Sequence, residues 1–117
     1  MNERTAKRLL DAHAAVSQLI EITRGFDADR YLSDHVIRLA SERLLEIAGE
    51  ALSIASREDP KLRAVIPDLS FAIAMRHKII HGYDHISDEA VWDTIVHDIP
   101  RLLSQLDDAM KDAPPLD

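Results

Sequence analysis

An all-α fold, an antiparallel bundle of four helices, is what this sequence predicts, and three observations carry that prediction. Apolar residues recur at three- and four-residue spacing along most of the chain, the period of one helix face. Ala, Leu, Ile, Glu and Arg are abundant, whereas three glycines and five aromatics are too few for a many-turned β-sandwich. Capping residues and prolines then divide the pattern into segments. A length of 117 residues suits one domain, able to bury roughly two-thirds of its unfolded surface.

The first helix is expected from an N-cap at Asn2 to a C-cap at Gly25, with Leu9, His13, Val16 and Ile20 on its apolar stripe. His13 reads there as a packed or interface histidine. "GFDADRYLSD" reads as a connection, with Ser33 or Asp34 capping the second helix. That helix should reach Asp59, before Pro60, with Ile37, Ala40, Leu44, Ile47, Ala51 and Ile54 as its packing seam. Gly49 interrupts it at a cost of about 1 kcal/mol relative to Ala, which points to a close helix–helix approach, internal or between two chains. Glu42, Glu46 and Glu50 form an acidic row beside the seam and read as a solvated face.

"DPKLRAVIPD" reads as a second connection. Asp68 is the expected cap of a third helix carrying Phe71, Ala72, Met75, Ile79 and Ile80, with Gly82 at its end. Ser87 should cap the fourth, whose core residues are Trp92, Ile95, Ile99, Leu102, Leu106 and Met110. Pro100 should kink or restart that helix, because it lacks a donor and crowds the preceding turn. Residues 1–112 read as one bundle and 113–117 as a disordered tail.

Composition narrows the function classes. The chain has no cysteine, which excludes disulfides, thiolate catalysis and Cys-based zinc sites. The N-terminal stretch carries charges throughout, unlike a secretory signal. No window approaches the ~20 apolar residues of a membrane span, so a soluble, cytoplasmic protein with no membrane partner is expected. A net charge of −7 argues against broad affinity for nucleic acid, leaving room only for a local basic patch or a partner.

One such patch exists. Arg76, His77, Lys78, His81 and His85 fall within ten residues, with Tyr83 two places after His81. Part of this is ordinary electrostatics, since cations are favoured at a helix C-terminus. His77 and His81 stand at i, i+4, a spacing that can chelate a metal, but no carboxylate or Cys is placed to complete the site. Nor does the chain contain the Glu-x-x-His pairs of a di-metal bundle. No metal and no cofactor is expected. On a continuous helix Arg76 and His81 are about 140° apart, whereas Arg76 and Tyr83 share a face. Bringing Arg76 to His81 therefore requires a helix end, a second copy of the chain, or both.

Arg76-His-Lys-Ile-Ile-His81-Gly-Tyr83 resembles the Arg-x4-His-x-Tyr motif of HepT-type toxins in the HEPN superfamily. The polar His77 directly after the Arg also fits that superfamily. "RLLEIAGEAL", "IPDLSF" and "VWDTIVHDIPRLLSQL" resemble HepT segments in the same order, so the likeness covers most of the chain. It implies a dimeric HEPN-like bundle and a metal-independent endoribonuclease toxin of a type VII-like toxin–antitoxin system. The two motifs would meet in a cleft at the homodimer interface. It further implies Arg76 and His81 as the catalytic pair acting on RNA. The cognate minimal nucleotidyltransferase antitoxin would silence the toxin by transferring AMP to Tyr83.

That chemistry is coherent on its own terms. Metal-free RNA cleavage uses the ribose 2′-hydroxyl as an internal nucleophile, so orientation supplies much of the rate. A histidine near pKa ~6.5 can take or give the proton, and an arginine offers a planar fork to a phosphate. His77, Lys78 and His85 would support substrate binding. The competing reading is a non-catalytic helical module that binds nucleotide or docks a nucleotidyltransferase, and a third is a purely structural bundle dimer. Arg, His and Tyr together favour the nuclease, because a docking surface needs no such trio.

Overall fold

Asn2 starts the first helix as expected, its side chain accepting a hydrogen bond from the Thr5 N–H at 2.8 Å. The computed structural model describes residues 1–81 and 86–114; Gly82, Tyr83, His85 and the tail residues 115–117 lie outside the described residues. Helix α1 runs Glu3–Thr23, and Gly25 follows it with φ +80°, the left-handed position that favours glycine after a helix end. Among the described residues the chain is helical and contains no strand. None of these helices is long and apolar enough to cross a membrane.

The first connection is not the plain loop that the sequence suggests. Asp27 accepts from the Arg30 N–H at 2.8 Å and starts a short helix α2, Ala28–Ser33. Asp34 then accepts from Ile37 at 3.0 Å and starts α3, His35–Glu58. Two aspartate caps seven positions apart thus define an element too short for periodicity to reveal. Its purpose in packing is Tyr31, wholly buried and stacked on Trp92 at 5.1 Å. Burial, with the nearby Glu42 and Asp88 carboxylates, pushes the Tyr31 phenol up to about 12.

Helix α3 lies between α1 and α5 and presents Ser41, Leu45, Ala48, Leu52 and Ala55 to the core. The seam expected at Ile37–Ile54 is therefore displaced. Of its six residues only Ala51 is buried; Ile37, Ala40, Leu44, Ile47 and Ile54 are half-buried. The inward stripe is one residue further on, about 100° around the helix. Small side chains at Ser41, Ala48 and Ala55 let neighbouring helices come close, so packing selects the small stripe over the bulkier one.

The second connection likewise contains a short helix, α4 (Leu62–Val65), with Leu62 and Ile66 buried beneath it. Helix α5, Leu69–His81, buries only Leu69 and Met75, and Phe71 and Ile80 are exposed. Asp68 at its start receives Arg101 at 2.6 Å and Gln105 at 3.0 Å, tying α5 to the last helix.

The chain resumes with α6, Asp88–Asp93, capped by Ser87 through the Ala90 N–H at 3.1 Å. A π-helical segment, Thr94–Asp98, leads directly into α7, Ile99–Met110. This is how Pro100 is accommodated: the Ile99 N–H reaches back to Thr94, so the rod restarts without a break. Ile95, Ile99, Leu102 and Leu106 are buried as expected, while Trp92 and Met110 are half-buried. His13 Nε2 donates to Asp107 Oδ1 at 2.7 Å, joining α1 to α7.

Gly49 marks the closest approach of α3 to α5, and the contact is internal. A Cβ built there would lie 2.5 Å from Arg76 Cβ and 3.0 Å from the Ala72 carbonyl oxygen. Neither atom is the free end of a flexible side chain, so the helices would have to separate. In an ordinary helix interior Gly49→Ala would add about 1 kcal/mol of stability. Here we expect a loss of about 1–3 kcal/mol in chemical denaturation, the usual cost of overpacking. Unchanged or increased stability would contradict the close approach.

Candidate active site

Arg76 reaches its position because its stem crosses the gap that Gly49 leaves open. Its guanidinium then turns to Glu50, the next residue on α3, with Nη2 2.5 Å from Oε2. Arg76 Nε is buried and has no hydrogen-bond partner among the described residues. The carboxylate holds one edge of the guanidinium and fixes its plane, and the exposed part of the side chain faces the groove. The side chain is 30% exposed, at the floor of a groove of about 420 Å³. Leu44, Ile47, Ile54 and Ile80 supply apolar walls, and Arg43, Glu46 and Glu50 supply charge.

The acidic row is thus not a plain solvated face. Glu50 holds Arg76, Glu46 pairs with Arg43 at 3.2 Å, and Glu42 is half-buried. Burial raises the Glu42 carboxyl above its ordinary range, with Asp88 and Glu46 adding to the effect. Glu50 was missed in the sequence because an i, i+4, i+8 row of glutamates looks uniform. The available signal was its place directly after Gly49, where α3 must meet another helix.

His81 is the last residue of α5, exposed and still helical. The helix does not unwind between Arg76 and His81, so the ~140° separation on a continuous helix is the one that applies. The structure does not bring these two residues to one face of the protomer. It brings His81 to His77 instead, with ring centroids 4.1 Å apart and planes tilted by 53°.

Lys78 and His77 are both exposed, on the side of α5 away from the Arg76 groove. They line a second depression of about 400 Å³ with Arg63, Ser70, Ile73 and Ala74. Arg63 had no motif to mark it in the sequence. The expected supporting residue His85, like Tyr83, lies outside the described residues. Among the described residues no three His, Cys, Asp or Glu side chains are grouped to hold a metal ion.

Comparison with known proteins identifies the family. The family model described as ribonuclease HepT-like matches residues 12–109. A Thermococcus cleftensis protein named "probable ribonuclease HepT" is 33% identical over 103 residues, covering 88% of this chain and 93% of its own. A Caldanaerobacter subterraneus protein is 32% identical over 93 residues, covering 80% and 82%. A Methanocaldococcus jannaschii protein is 28% identical over 106 residues, covering 89% of each chain. The last two carry provisional RNase names. No solved structure gives a significant match. The family match spans the chain from within α1 to within α7, taking in Gly49, Glu50, Arg76 and His81, and the chain belongs to the ribonuclease HepT-like family, as a HepT-type protein of the HEPN superfamily.

Proposed function

We propose that this chain is a metal-independent endoribonuclease toxin whose active site is completed by a second copy of itself. The observation that carries this reading is the unbroken α5 helix, which aims Arg76 and His81 in different directions. Within one protomer the two residues lie about 140° apart around α5 and do not share a face. Across a two-fold axis, Arg76 of one chain can face His81 of the other. The apolar face of α3 supports the pairing. Leu44, Ile47 and Ile54 are half-buried and line the Arg76 groove, where a second chain would cover them.

In this reading His81 moves the proton of the 2′-hydroxyl or of the leaving 5′-oxygen. Arg76 stabilises charge on the non-bridging phosphate oxygens. No metal is required, because the nucleophile is already part of the substrate. The relatives' RNase names are consistent with this chemistry.

RNA incubated with the purified chain in EDTA should be cut to products with cyclic-phosphate ends. His81→Ala and Arg76→Ala should each slow cleavage by about 100-fold or more with helical circular dichroism unchanged. Full activity in both variants would remove the catalytic assignment, and a requirement for divalent metal would remove the mechanism.

Regulation in this proposal falls on Tyr83, where a cognate minimal nucleotidyltransferase antitoxin transfers AMP to the phenol. The added phosphate would bring bulk and negative charge to a site that must accept RNA phosphate. Tyr31, the chain's second tyrosine, is wholly buried and makes a built-in control. After incubation with the antitoxin, ATP and Mg²⁺, intact mass should rise by whole AMP units that map to Tyr83. Tyr83→Phe should stay unlabelled and active. Label on Tyr31, or equal covalent silencing of Tyr83→Phe, would show that the position is wrong.

A further inference from the structure

The depression between α4 and the outer face of α5 gathers two cations that no carboxylate neutralises among the described residues. Most of the chain's cations are neutralised locally: Lys7 by Asp11, Arg24 by Glu21, Arg38 by Asp88, Arg43 by Glu46, Arg76 by Glu50 and Arg101 by Asp68. Arg63 and Lys78 have no carboxylate partner among the described residues, and both line this depression. Its remaining lining is Ser70, Ile73, Ala74 and His77, with no acidic side chain, in a protein of net charge −7. We propose that this groove holds the phosphate backbone of the RNA strand on its approach to His81, with Arg63 and Lys78 as its phosphate contacts.

Three features of the site support that assignment, which rests on the ribonuclease reading above. The first is preorganisation. Arg63 Nη1 donates to Ser70 Oγ at 2.7 Å, which fixes the guanidinium against α5 while leaving its other donors for a phosphate. The second is direction. Ser70, Ala74, His77 and His81 follow one another at i, i+4, i+7 and i+11, a single stripe along α5. The groove therefore leads to the catalytic imidazole, and the contact between the His77 and His81 rings joins the two. From Ser70 to Lys78 the stripe rises about 12 Å, room for a short run of backbone.

The third feature is the contrast with the other side of α5. The Arg76 groove carries Asp11, Glu46 and Glu50 in its walls, and each of its cations, Arg8, Arg43 and Arg76, is paired with one of them. A strand that followed that groove would pass carboxylates, whereas one that follows Arg63, His77 and Lys78 passes none. Ile73 and Ala74 give the outer groove an apolar floor suited to sugar and base faces, the combination that single-strand binders use. The groove thus adds Arg63 and Ser70 to the basic cluster visible in the motif.

Binding of a fluorescent single-stranded RNA to the His81→Ala chain, titrated at several salt concentrations, tests this. Each phosphate neutralised on a single strand contributes about −0.7 to the slope of log K against log[salt]. Arg63→Gln with Lys78→Gln, in that background, should flatten the slope by about 1.4 and weaken binding about tenfold at low ionic strength. Arg4→Gln with Arg57→Gln, the same change in net charge elsewhere, should leave the slope unchanged. If the groove variant matches that control while the unsubstituted chain still cleaves RNA, the groove assignment is wrong and the nuclease stands. If the unsubstituted chain neither cleaves nor binds RNA, both are wrong.

Discussion

Everything at the candidate site depends on how closely α3 approaches α5 at Gly49. With no side chain there, the Arg76 stem lies directly against the α3 backbone, and the guanidinium emerges beside Glu50. A long cationic side chain ordinarily loses considerable rotamer entropy when it is fixed. Here most of that ordering is done by the helix contact, so the charge is presented in one direction before any ligand arrives. The neighbouring carboxylate compensates the partly buried charge but also competes with phosphate for the same edge. Arg76 Nε is buried without a hydrogen-bond partner among the described residues, a cost of the close approach. A larger residue at position 49 would disturb the fold and the site together.

Electrostatics then acts through distribution rather than total. A chain with 21 acidic and 14 basic residues repels RNA on average, yet its cations are not spread evenly between paired and unpaired states. Pairing on α1, α3 and α7 removes much of the positive field there, while Arg63 and Lys78, without a carboxylate partner among the described residues, line one groove beside α5. Such a surface gives little non-specific binding, because long-range attraction is weak and screened within about 10 Å. Affinity has to come from a few aligned contacts, which is compatible with a nuclease that acts on a limited set of strands.

The sequence was most legible where one residue decides a local outcome. Asn2, Asp34 and Ser87 cap helices as their chemistry requires, and α3 stops ahead of Pro60. It was less legible where two arrangements are locally equivalent. Helix α3 carries two adjacent apolar stripes, and only tertiary packing reveals that the one with small residues faces inward. Phe71 and Ile80 look like core residues on α5 but are exposed, because that helix is covered on one side only. Short helices α2 and α4 are below the length at which periodicity is informative. At the candidate site, Arg76 and His81 were singled out by the motif's resemblance, and their spacing already showed the conflict between their directions. Glu50 and Arg63 were not, since each gains its role from a partner that is 26 or 7 positions away.

That conflict of directions is the centre of the proposal: one protomer carries both residues, but on different faces of α5. It is tested most directly by subunit complementation. Arg76→Ala and His81→Ala chains, each inactive alone, are mixed and allowed to exchange, and RNA cleavage is followed against the fraction of mixed dimer. If each site takes Arg76 from one chain and His81 from the other, a mixed dimer has one intact site and activity returns to about half that of the unsubstituted dimer. If each site draws both residues from the same chain, every site in the mixture lacks one of them. No recovery in a verified mixed dimer, or full activity in a verified monomer of the unsubstituted chain, would contradict the shared site.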